Sequence, residues 1–90
     1  MPNLKSAKKR LRTAEKARQR NRIVRRQVRR ARRAVLEAMA SGDLQQVEEK
    51  FRLFTSAIDK AVKKGVYKRG TADRYKHRLA ARIRTLRCAA

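Results

Sequence analysis

Residues 41–65 read Ser-Gly-Asp-Leu-Gln-Gln-Val-Glu-Glu-Lys-Phe-Arg-Leu-Phe-Thr-Ser-Ala-Ile-Asp-Lys-Ala-Val-Lys-Lys-Gly, and this stretch decides the fold. Leu44, Val47, Phe51, Phe54, Ile58 and Ala61 alternate steps of three and four, the spacing of one apolar helix face. Gly42 suits the left-handed position that stops the preceding helix, and Asp43 suits the N-cap of the next. Asp43 and Gln46 have capping-box spacing, with Asp in place of the usual Ser or Thr. Lys63-Lys64-Gly65 places two cations at the negative end of the helix dipole and a glycine to terminate it. A helix over 44–64 follows.

Outward from it, Pro2 is the one proline and the remaining glycine is Gly70, so breakers divide the chain into three long stretches. Val24, Val28, Ala31, Val35 and Ala38 keep the helical rhythm before Gly42, and Tyr75, Leu79, Ile83 and Leu86 keep it after Gly65. The second loop is predicted over Val66–Thr71, with Gly70 or Thr71 as N-cap and Asp73 in the first turn of a helix reaching about Arg87. The fold class is therefore all-α, an antiparallel three-helix bundle in a single domain over 1–90. The second helix spans about 31 Å and the first about 55 Å, so the first must overhang its partner. Its overhang carries only Leu4 and Leu11 as large apolar residues. Residues 1–20 are expected to project as a basic arm, with the bundle over 21–90.

Charge follows the same division. Residues 1–33 hold fifteen Lys or Arg against Glu15 alone, residues 34–66 hold five bases and five acids, and residues 67–90 hold eight bases against Asp73. The net charge is +21, with 41% hydrophobic residues to supply a core. Two cationic segments around a neutral middle fit a polyanion, since each phosphate neutralised releases a condensed counterion. With Val24 at zero on a helical wheel, Arg22, Arg25, Arg26, Arg29, Arg30, Arg32 and Arg33 fill roughly 80° to 240°. No acid lies between Lys16 and Ala34 to relieve their mutual repulsion, so a partner is implied rather than a merely solvated face. Arginine's planar fork suits phosphate oxygens better than lysine does. Arg74, Lys76, Arg78, Arg82, Arg84 and Arg87 form a second, more scattered basic surface; Arg78 and Arg82 lie near the stripe edge, where their stems can follow the bundle.

Other chemistry has little support. One cysteine, Cys88, and one histidine, His77, make neither an internal disulfide nor a four-ligand zinc site. Glu48 and Glu49 are adjacent and lie 100° apart on a helix, so no paired acid/base site is indicated. Phe51 and Phe54 sit on the apolar seam and are expected in the core; Tyr67 and Tyr75 lie among cations, Tyr75 half buried at the start of its stripe. No apolar run approaches a membrane span, and the first ten residues carry charge where a signal peptide needs an apolar region. The chain reads as intracellular and soluble, with no enzymatic role, cofactor, metal, small-molecule substrate, membrane partner or homo-oligomer expected.

Particular residues carry a resemblance. Pro2-Asn3-Leu4-Lys5-Ser6-Ala7-Lys8-Lys9-Arg10 resembles the N-terminal signature of the bacterial small-subunit ribosomal protein S twenty family. Glu15-Lys16-Ala17-Arg18 with Asn21 is similar to its next block, and Gly65-Val66 through Lys68, Ala72, Arg74, Lys76 and Leu79 to its turn into the third helix. Pro2 stands where alanine is usual, Tyr67 where histidine is, Gly70 where asparagine is, and His77 where serine is; none of these removes a cation. The resemblance implies a three-helix bundle binding small-subunit (16S) ribosomal RNA directly and early in assembly, in the cytoplasmic ribosome, with other ribosomal components met mainly through RNA. Phosphate and 2′-hydroxyl contacts are expected, because A-form RNA hides its base edges. They are assigned to Asn3, Lys5, Ser6, Lys8, Lys9, Arg10, Arg12, Lys16, Arg18, Arg22, Arg25, Arg26, Arg29, Arg33, Arg74 and Lys76. The alternative is a nucleoid-type protein compacting DNA. A membrane-active basic helix is a weaker one, since Ala7, Ala14 and Ala17 are too small to insert strongly.

Overall fold

The computed structural model describes residues 3–89, with side chains from residue 4. These residues form three helices, α1 (Asn3–Ser41), α2 (Leu44–Lys63) and α3 (Arg69–Ala89), and no strand. Neither Pro nor Gly interrupts α1, and its Ala, Leu, Arg, Lys and Gln content consists of good helix formers. Its 39 residues correspond to about 58 Å of helix, nearly twice the length of α2. The molecule accordingly measures 68 × 22 × 14 Å with a radius of gyration of 18.1 Å, against about 12 Å for a compact domain of this length.

Both reversals follow the local signals. Gly42 takes a φ of 80° and its N–H donates to the Ala38 and Met39 carbonyls, each at 3.2 Å. The Asp43 carboxylate then accepts from the N–H groups of Gln45 at 3.1 Å and Gln46 at 3.4 Å. At the other end Gly65 takes a φ of 75°. There Val66 N–H donates to Ala61 O and Gly65 N–H to Val62 O, both at 3.0 Å. That pair of bonds is a Schellman motif, which uses two carbonyls the helix end would leave unpaired.

The core is built from small apolar residues. Val35, Val47, Phe54, Ile58 and Ala61 are fully covered, with Val24, Val28 and Ala38 from α1 and Ala72, Leu79 and Ile83 from α3 beside them. Phe51 is half-buried and stacks on Phe54, ring centroids 6.5 Å apart. α2 packs mainly on α1 and more sparingly on α3. Polar ties supplement that thinner seam: Lys76 Nζ donates to Asp59 Oδ1 at 2.8 Å, and Arg87 pairs with Glu48. The Arg32 guanidinium lies 5.1 Å from the centre of the Tyr75 ring and links α1 to α3.

One expectation needs correction. The third helix does not wait for a Gly70 or Thr71 cap; α3 starts at Arg69, and Ala72 N–H already donates to Lys68 O at 3.0 Å. Asp73 therefore lies beyond the first turn, which holds no acid. The earlier start places Ala72 inside the helix, where it is 1% exposed and joins the core. The helix also runs two residues past Arg87, to Ala89.

Candidate nucleic-acid interface

Burying Val24, Val28 and Val35 against α2 fixes the rotation of α1 and turns its arginines outward. Arg22, Arg25, Arg26, Arg29, Arg30 and Arg33 are all exposed. Steps of three and four set neighbouring side chains roughly 5–6 Å apart along the face. Arg18, Arg22, Arg25, Arg26 and Arg29 border one open trough, with Ala14 and Ala17 among its lining. Among the described residues none of Arg22, Arg25, Arg26, Arg29 and Arg33 forms an ion pair within the chain. Five undirected charges thus face one solvent strip.

Toward the N-terminus Lys5, Ser6, Lys8, Lys9, Arg10, Arg12 and Lys16 are all exposed, spread over roughly 200° of the helix with Leu4, Ala7, Leu11 and Ala14 on the remaining side. The backbone of Asn3 opens α1, while its side chain lies outside the described residues. Arg18 is 3.5 Å from Glu15, with both side chains more than half exposed. Such a surface pair contributes little and yields readily to another anion.

The predicted residues of α3 divide. Arg74 is exposed, whereas Lys76 is half-buried and faces Asp59 at 2.8 Å and Asp73 at 3.8 Å. Arg78 and Arg82 are exposed, as are His77 and the free Cys88. Arg32, on the basic face of the wheel, is engaged on Tyr75 instead.

Sequence reasoning assigned no role to a second concavity. Where α1 leaves the bundle, Val24, Val66 and Ile23 line a notch of about 570 Å³, with Arg20, Asn21, Gln27 and Lys64 around it. Ile23 is 54% exposed. The uncharged Asn21 and Gln27 escape a search for cations, and Ile23 lies off the stripe. The weak available signal was Asn21 itself, a polar residue where the apolar rhythm running back from Val24 asks for a hydrophobic one.

Comparison with known proteins supplies a family. A family model described as Ribosomal protein S20 matches residues 2–84. The chain is similar to the small ribosomal subunit protein bS20 of Corynebacterium aurimucosum, 46% identical over 80 residues that cover 89% of this chain and 92% of the relative. It is 45% identical over 84 residues to the bS20 protein of Koribacter versatilis, covering 93% and 94% of the two chains. With that of Methylococcus capsulatus it shares 43% identity over 86 residues, covering 96% and 94%.

Proposed function

The chain belongs to the ribosomal protein S20 family, and from that premise we propose that it binds 16S ribosomal RNA directly through α1 and holds RNA helices together during assembly. Membership makes it a structural, non-enzymatic protein of the small subunit, working in the cytoplasmic ribosome. The arrangement along α1 supports the finer reading.

The observation that carries it is the exposed, unpaired arginine run of Arg22, Arg25, Arg26, Arg29 and Arg33, continuous with an arm exposed on all sides. Two RNA helices repel through their phosphates. A cationic rod between them lowers that repulsion, and arginine forks add directional bonds to phosphate oxygens. Asn3, Lys5, Ser6, Lys8, Lys9, Arg10, Arg12, Lys16 and Arg18 act along the arm, where contacts on several sides let one helix touch more than one RNA strand. Arg74 adds a contact from α3. Lys76 joins by exchanging Asp59 and Asp73 for phosphate. Recognition rests on shape and backbone rather than base sequence along this surface.

Affinity for 16S ribosomal RNA, duplex DNA and an unrelated folded RNA across a salt series tests the reading. A preference for 16S RNA that persists as salt rises is expected. Equal and steeply salt-dependent binding to all three contradicts it and returns the DNA-compaction alternative, which family membership does not favour.

A further inference from the structure

We propose that the notch between α1 and the turn joining α2 to α3 is a nucleobase pocket that accepts one unpaired base splayed out of the ribosomal RNA. The inference rests on the RNA-binding reading above and adds a base-specific contact to a surface otherwise built for phosphates.

The lining has the composition a nucleotide requires. Val24, Val66 and Ile23 offer an apolar surface at the exit of the core stripe, and Ile23 stays 54% exposed. Around that surface stand two amides, Asn21 and Gln27, and two cations, Arg20 and Lys64; no acid takes part. The Asn21 and Gln27 side chains make no hydrogen bond among the described residues. Each amide has donor and acceptor atoms side by side, the pattern presented by a base edge. On the wheel Asn21 and Gln27 lie about 60° to either side of Val24, so the two flank its apolar floor. Arg20 lies about 40° from Val24, close enough to lay its guanidinium plane on a base, as arginine does with unstacked RNA bases.

Charge and position select this occupant. The exposed wall is cationic on both elements, through Arg20 on α1 and Lys64 at the end of α2. A phosphodiester on each side of the flipped base meets one of them. The notch also adjoins the arginine trough, the two sharing Ala17 and Asn21, so a strand lying along the trough passes its mouth. Unpaired bulge or loop bases are the part of RNA that can enter such a site, because paired bases are buried in the A-form groove.

The test uses the full chain and a 16S ribosomal RNA transcript, probed for base-edge modification and, in parallel, for hydroxyl-radical cleavage of the backbone. The intact protein is expected to shield the Watson–Crick edge of one or two unpaired bases inside its backbone footprint. Asn21→Ala with Gln27→Ala is expected to re-expose those bases and weaken binding about tenfold, the usual scale of one base contact, while the backbone footprint persists. Gln27→Glu, at an exposed position, repeats the test without disturbing packing and should raise the reactivity of the same bases. A backbone footprint with no shielded base, or shielding unchanged in both variants, overturns the pocket and leaves the RNA-binding reading standing. Absence of any backbone footprint from the intact protein overturns both.

Discussion

The two halves of α1 share one helical backbone and differ in almost everything that stabilises it. From residue 21 to 41 every third or fourth side chain lies against α2, and Val24, Val28, Val35 and Ala38 are buried. From residue 4 to 20 only Ala17 is as much as half-buried, and Leu4 and Leu11 are 55% and 70% exposed. The contrast separates helix formation from helix packing. Alanine, arginine and lysine make a good helix in either half, but large apolar residues at steps of three and four decide which half joins the core. Without tertiary support a cationic helix is marginal in water, since like charges at i,i+4 oppose it. The arm is therefore expected to depend most on an anionic partner for its order, and the packed half to carry the melt.

Breaking the packed half gives the largest effect. Phe54→Ala empties a fully covered site and should cost about 3–5 kcal/mol, enough to abolish the cooperative thermal transition followed by circular dichroism. A retained sharp transition shows that the core described above is not what holds the helices together. Removing residues 1–20 probes the other half. The melting midpoint should stay within a few degrees while affinity for 16S RNA falls about a hundredfold near physiological salt, as expected for losing several phosphate contacts; collapse of the melt makes the arm part of the folded unit. A smaller effect sharpens the boundary between them. Gly65→Ala forces a side chain into a φ of 75° and should cost about 1–2 kcal/mol in denaturant unfolding, with RNA affinity unchanged wherever the chain remains folded.

These regions were legible in the sequence to different depths. Gly42, Asp43 and Gly65 announced the two reversals because a left-handed glycine and a carboxylate cap are decided by nearest neighbours. The arginine face was legible for the same reason, since a wheel anchored on Val24 needs only helical spacing. The start of α3 was not. Arg69-Gly70-Thr71 reads as loop yet lies within α3, next to an Ala72 whose burial is a tertiary fact. Pairings across helices were equally hidden: Asp59 with Lys76, Glu48 with Arg87 and Arg32 with Tyr75 depend on how α3 is set against α2 and α1. Charge counting placed Lys76 among the RNA contacts without seeing the two carboxylates beside it. The notch of Asn21, Gln27 and Val66 was hidden for a related reason, because two separate elements meet to form it.

The most direct test of the claim that α1 grips RNA through its unpaired arginines is the salt dependence of 16S RNA binding for the intact chain and for Arg25→Ala with Arg29→Ala. The account predicts weaker binding, a log–log salt slope reduced by up to about two units and unchanged helicity. An unchanged affinity and slope in a folded variant would contradict it and remove this face from the RNA interface.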